Sequence, residues 1–226
     1  MKNIFRCIHR HTAEEHPVCF AQGKVLDRRS ISEQINRPWY KTSGSRIGYL
    51  DIEADGLKAD FSTMLSWCIK ERDGEIYYDV ITQKDMLERK GDADKRIIES
   101  LVNTLSNFNI VVTYYGGDFR YDLPFVRTKA IHYNLEFPGW KALFQYDLYS
   151  VVKQKLCLSR NTLDAACDYF GIVGKTPILK SAWRNAKYGD KEALEEVLSH
   201  NKGDVEILEA LHKKLEPFKL WSKSSI

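Results

Sequence analysis

Between residues 46 and 115 the spacing of apolar side chains changes period twice, which narrows the folds open to the chain. Ile47 to Glu53, Phe61 to Lys70 and Glu75 to Ile81 are short segments rich in Ile, Tyr, Val and Trp, with Asp55-Gly56 and Asp73-Gly74 between them. Such runs, punctuated by turn residues, predict three antiparallel strands. From Asp92 to Phe108 the residues Ile97, Ile98, Leu101, Leu105 and Phe108 recur at helical steps, and Ile110 to Tyr115 then reads as a buried strand closed by Gly116-Gly117. A strand that follows a crossover helix pairs parallel to its neighbour. Helical spacing dominates the remainder, over roughly 123–133, 147–156, 161–170 and 190–216. The expected fold is α/β, a mixed sheet of three antiparallel strands and then parallel strands, flanked by helices.

Composition sets the outer limits. The chain has 226 residues, 43% hydrophobic and 29% charged, which suits one sizeable core and excludes a disordered chain. With 34 Lys plus Arg against 31 Asp plus Glu the formal charge is +3, so a strongly basic nucleic-acid coat is excluded as well. No stretch reaches the ~20 apolar residues of a membrane span, and Met1 to Arg6 lacks the apolar run of a signal peptide. No membrane partner is expected, and the expected compartment is the cytoplasm.

Residues 1–40 differ from the rest. Cys7-Ile8-His9-Arg10-His11 and His16-Pro17-Val18-Cys19 bring five soft ligands into thirteen residues. Cys7, His11, His16 and Cys19, with His9 as a substitute for His11, suit a structural tetrahedral Zn²⁺; a surface arm with incidental histidines is the alternative. Lys41-Thr42-Ser43-Gly44-Ser45 reads as a linker, and the main domain as 46–226. Cys68, Cys157 and Cys167 sit singly in apolar segments, where cysteine behaves as a small buried hydrophobe.

Acidic residues then stand where apolar ones are expected. Asp51 and Glu53 are two apart on the first strand and project from one face, with Leu50 and Ile52 on the other. Paired carboxylates on a central strand repel each other unless a cation compensates them; the alternative is a solvent-facing edge. Asp122 precedes Pro124 at a helix start and suits an N-cap, a metal ligand, or both. Asp118, on the glycine-rich tip, is the second choice. On the last helix the stripe Leu194, Val197, Leu208, Leu211, Leu215 continues through His200 and Asp204, four residues apart on one face. A wider stripe through Leu198, Val205 and Ile207 would leave both at a solvated edge.

Together these sites resemble the DEDD exonucleases of the ribonuclease H-like fold, over roughly residues 46–216. Leu50-Asp51-Ile52-Glu53 is similar to the first motif, Tyr114-Tyr115-Gly116-Gly117-Asp118-Phe119-Arg120-Tyr121-Asp122-Leu123-Pro124-Phe125 to the second, and His200-Asn201-Lys202-Gly203-Asp204-Val205 to the third. The flavour is that of the polymerase-proofreading relatives found in bacteria and phages. The second motif carries a residue or so more between its glycine and Asp122 than is common, which keeps Asp118 open. The third has His where one subclass has Tyr; the subclass that uses His places it five residues before the Asp, where this chain has Ser199.

The resemblance implies a 3′-5′ exonuclease that holds two Mg²⁺ or Mn²⁺ ions about 4 Å apart on Asp51, Glu53, Asp122 and Asp204. Asp51 would bridge the ions, Glu53 and Asp204 would bind the water-activating one, and Asp122 the other. His200 would orient or deprotonate the nucleophile, so activity should rise as that imidazole loses its proton. The substrate partner is a nucleic acid with a single-stranded 3′ end. Arg127, Lys129, Lys175, Lys180, Arg184 and Lys187 are candidate phosphate contacts, and Tyr115, Phe119 and Trp183 candidate stacking rings. Asp147 reads as a helix N-cap and Asp164 as solvent-facing. A ribonuclease H-like endonuclease and a non-catalytic nucleic-acid-binding module are the competing expectations.

Overall fold

The computed structural model describes residues 46–88, 91–117, 120–139, 142–174 and 177–218, with the short pieces 6–7, 18–19, 25–26 and 224–225. β1 (Arg6–Cys7) and β2 (Val25–Leu26) form a small antiparallel ladder of their own. The main sheet contains β3 (Ile47–Ala54), β4 (Met64–Glu71), β5 (Ile76–Val80), β6 (Ile110–Thr113), β7 (Phe144–Asp147) and β8 (Ser224–Ser225). Its order is β5-β4-β3-β6-β7-β8. The pairs β5–β4, β4–β3 and β7–β8 are antiparallel, whereas β3–β6 and β6–β7 are parallel. The mixed α/β sheet expected from the periodicity is therefore the observed one.

The helices are α1 (Gln83–Glu88), α2 (Lys95–Leu105), α3 (Asp122–His132), α4 (Leu148–Lys155), α5 (Leu163–Tyr169), α6 (Lys180–Ala186) and α7 (Lys191–Leu215). Side chains that alternate along β3 divide the core. Leu50 and Ile52 join Leu65, Trp67 and Ile69 of β4 and the apolar stripe Ile97, Ile98, Leu101 and Leu105 of α2 on one face. Ile47 and Tyr49 join Val112 of β6, Val151 and Val152 of α4, and Val205, Leu208 and Leu211 of α7 on the other. Truncating any of these fully buried residues to Ala costs about 2–5 kcal/mol. None of the described helices is long and apolar enough to cross a membrane.

Besides the two-residue strands β1, β2 and β8, which are too short to show a period, three elements depart from the expectation. α1 opens with a reciprocal cap: Thr82 Oγ1 accepts from the Asp85 backbone N–H at 3.1 Å, and Asp85 Oδ2 accepts from that of Thr82 at 3.0 Å. β7 has four residues, too short for alternation to register, and α6 has only seven. At the other strands and helices the ends move by a few residues. Phe61 is outside β4 and 90% exposed. Cys68 and Cys167 are buried as expected, whereas Cys157 lies beyond the C-cap Leu156 of α4 and is exposed.

The C-terminal half of α7 buries one imidazole. His212 is 2% exposed, its Nδ1 is 3.0 Å from the Tyr49 hydroxyl, and Tyr146 packs on the ring at 4.9 Å. Burial pushes its pKa down to about 4, against smaller opposing effects of Glu216 and Glu209. A depressed pKa means that the unfolded chain binds the proton first. His212 thus contributes stability that is complete above the ordinary value near 6.5 and is lost as pH falls toward about 4. The loss is on the order of 3 kcal/mol. Chemical denaturation between pH 7 and pH 4 should show it, and the His212→Gln variant should have a flatter pH dependence over the same interval.

Candidate active site

The strand alternation that puts Leu50 and Ile52 in one core leaves Asp51 and Glu53 on the opposite face, in line with Ile47 and Tyr49. The last ladder pair between β3 and β6 is Tyr49 with Val112, so Asp51 lies past the paired segment, at the carboxyl ends of the parallel strands. Open α/β sheets place their ligands in this crevice. Cys68 and Ser66 of β4 stand opposite Asp51 and Glu53. Burial, reinforced by the Asp51 charge, pushes the Cys68 thiol far above its usual range, so it stays a neutral wall.

α7 meets this row along its length. Val205, Leu208 and Leu211 pack against the Ile47 and Tyr49 end, and one turn further toward the N-terminus the same helix presents Asp204, Asn201 and His200. His200 is 7% and Asp204 9% exposed, so the inward reading of the stripe holds over the solvated-edge one. His200 Nε2 lies 3.8 Å from Glu53 Oε1 and 3.7 Å from Asp204 Oδ2. Ligand atoms of Glu53, His200 and Asp204 all lie within 4.8 Å of one another. Trp183 of α6 meets the His200 ring edge-on, with centroids 6.2 Å apart.

Asp122 is supplied by the loop after β6. It is the first residue of α3 and 5% exposed, and Tyr121 rather than Asp122 stands at the N-cap position. A Cβ at Gly116 would collide with Oδ2 of Asp122, so glycine is what lets the loop close over the carboxylate. The Tyr121 hydroxyl donates to the Gly56 carbonyl at 2.8 Å and ties this corner to the turn after Glu53. Burial holds the Asp122 carboxyl well above the ordinary range, and the charges of Asp51 and Asp147 push it the same way. An acidic group crowded in this manner fits a divalent cation: hard oxygen donors meet at a buried corner where added positive charge would relieve their repulsion.

Asn201 was not anticipated. It is fully buried and its Nδ2 donates to Asp51 Oδ2 at 2.6 Å. The one sequence signal was a poor helix former in the middle of a long helix, beside His200.

The expected phosphate contacts divide. Lys180 and Arg184 are exposed on α6. Lys187 is 3.4 Å from Asp55, just past β3. The Arg127 guanidinium lies over the Phe137 ring at 5.6 Å. Lys129 turns the other way: its Nζ is 3.0 Å from the buried Asp94, a carboxylate that also accepts from the Met64 backbone N–H and the Tyr133 hydroxyl. Lys129 thus joins α3 to the start of α2 inside the core. Asp147 caps α4 through the Tyr149 backbone N–H, and Asp164 is exposed. Asp118, Phe119 and Lys175 lie outside the described residues, as do His9, His11 and His16. Of the proposed zinc set, Cys7 falls in β1 and Cys19 is buried.

The model of the RNase H superfamily matches residues 48–216. A search of curated proteins finds no match. Among solved structures, the family B DNA polymerase from the hyperthermophilic archaeon Pyrobaculum calidifontis is similar at 18% identity and TM-score 0.62, over 78% of this chain and 25% of the polymerase. Escherichia coli exonuclease I in complex with a dT13 oligonucleotide is similar at 9% identity and TM-score 0.48, over 77% of this chain and 42% of that one. The chain thus spans less than half of either protein, and the first likeness shows a shared fold.

Asp122 gives the site a measurable signature. Because its folded pKa is raised, its contribution to stability is complete below the ordinary carboxylate range and is lost as pH rises toward the folded value. Asp122→Asn should therefore stabilise the metal-free protein at pH 7 and lose that advantage near pH 4. The gap should grow by about 1.4 kcal/mol per pH unit while the native carboxyl stays protonated, or roughly 2–4 °C in Tm per kcal/mol. Differential scanning fluorimetry in chelator checks this. Added Mn²⁺ should raise the Tm of the wild type more than that of the variant.

Proposed function

Because the chain belongs to the RNase H superfamily, we propose that it is a metal-dependent nuclease that removes nucleotides from the 3′ end of a single-stranded nucleic acid. What carries this is the convergence of Glu53, His200 and Asp204 within 4.8 Å, beside an Asp51 held by Asn201 and a buried Asp122. The motif order around these residues supports the exonuclease type over an internal cutter.

Asp51 would face two Mg²⁺ or Mn²⁺ ions, with Glu53 and Asp204 on one and Asp122 on the other. Metal bound there acidifies the attacking water and neutralises charge on the phosphoryl and leaving 3′ oxygens. The protein's own groups do the rest. His200 Nε2 accepts the proton of the attacking water, and the two carboxylates that flank it, at 3.8 and 3.7 Å, stabilise the imidazolium that results. Trp183 against its ring restricts its rotation. Asn201 fixes the Asp51 rotamer without adding charge. Lys180 and Arg184 on the exposed side of α6 offer phosphate contacts that give affinity without sequence readout.

End-labelled single-stranded DNA and RNA, incubated with Mg²⁺ or Mn²⁺, test the proposal. The wild type should give a ladder that shortens from the 3′ end, chelator should abolish it, and Asp51→Ala should slow it by roughly 10³-fold or more. Discrete internal products would replace the exonuclease with an endonuclease. Equal activity of wild type and Asp51→Ala would remove catalysis from this site.

A further inference from the structure

The loop between β6 and α3 holds a tyrosine that the hydrolytic chemistry does not use. Tyr115 has a φ of 64°, the left-handed region that a bulky side chain rarely enters, yet glycines occupy the next two positions instead. Tyr115 is 50% exposed. The Tyr115 backbone N–H donates to Asp147 Oδ1 at 3.0 Å, and Asp147 Oδ2 lies 2.8 Å from Arg120 Nε. The Arg120 guanidinium stands over the Tyr115 ring at 4.6 Å and over the Tyr149 ring at 4.4 Å. The two rings meet edge to face with centroids 4.9 Å apart. One carboxylate therefore holds the backbone of the strained residue and the cation that braces its ring, and it also caps the helix that carries Tyr149.

This unit adjoins the candidate active site. Gly116, the next residue, closes on the Asp122 carboxylate, and Gly117 packs on the Asp147 side chain. Consecutive Cα atoms are about 3.8 Å apart, so Tyr115 stands beside the backbone that covers Asp122. An exposed aromatic ring fixed next to a phosphodiester-cleaving centre has the chemistry to stack on a base, a contact available to all four bases.

We propose that Tyr115, braced by Arg120 and Tyr149, is a stacking platform for a nucleobase near the 3′ end of the single-stranded substrate. The platform rests on the nuclease reading above and assigns it a specific grip: an unpaired base on a ring face, in addition to phosphate on a basic surface. The strain at Tyr115 is retained because the exposed ring is used. A residue kept only for loop geometry would be better served by glycine.

Binding of fluorescein-labelled oligothymidylate, followed by anisotropy with Ca²⁺ in place of Mg²⁺, tests this on the full chain. A second oligonucleotide carries abasic sites at its 3′-terminal positions. The wild type should bind the intact strand roughly tenfold or more tightly than the abasic one. Tyr115→Gly, which relieves the left-handed strain, should melt at the same temperature or higher and yet bind the two strands alike, and Tyr115→Phe should behave as wild type. The platform is overturned if Tyr115→Gly keeps the wild-type preference for the intact strand, if it melts lower and weakens both strands equally, or if the wild type binds neither strand. Cleavage with Mg²⁺ is scored separately. A wild type that binds with the expected base dependence but does not cleave contradicts the nuclease reading and leaves the platform standing. A wild type that cleaves while Tyr115→Gly keeps its KM does the reverse.

Discussion

Electrostatic repulsion among acidic groups at one end of the sheet is the constraint around which the rest is arranged. Asp51, Glu53, Asp122 and Asp204 come from a strand, a loop-helix junction and a late helix, and the surroundings limit the cost of collecting them. Asn201 gives Asp51 a neutral donor at 2.6 Å, His200 stands between Glu53 and Asp204, and the buried Asp122 carboxyl favours its protonated form. The Asn201 hydrogen bond and the protonated form of Asp122 each relieve part of the repulsion.

The same constraint explains how α7 is composed. Its apolar residues Val205, Leu208 and Leu211 cover the Ile47 and Tyr49 end of the sheet, whereas Leu194 and Val197 belong to the other core, near α6. Between them the helix faces the ends of the parallel strands, where polar residues replace the stripe. One rigid element of 25 residues therefore sets the relative positions of the apolar contacts and the acidic site. Gly116 has the corresponding role in the loop after β6, because the missing Cβ is the space that the Asp122 carboxylate occupies.

Much of this was legible in the chain because it depends on short-range periodicity. The period of two along Leu50-Asp51-Ile52-Glu53 puts both acids on one face, and the four-residue step from His200 to Asp204 puts those side chains on another. The local capping chemistry of Asp147 likewise marks a helix start that the structure has. What was not legible depends on partners distant in sequence. Asn201 meets Asp51 across 150 positions, and Lys129 meets Asp94 across the α2–α3 contact, which turns an expected phosphate contact inward. β7 and α6 are too short to show a period, and Cys157 is exposed because α4 ends just before it.

The central claim is that these four carboxylates form one binding centre for divalent metal. Anomalous diffraction from crystals soaked in Mn²⁺ measures this most directly. Two anomalous peaks about 4 Å apart are expected, with the Asp51 carboxylate between them, Glu53 and Asp204 on one and Asp122 on the other. Saturating Mn²⁺ that leaves this corner without a peak, or that appears only at carboxylates elsewhere, would contradict the account.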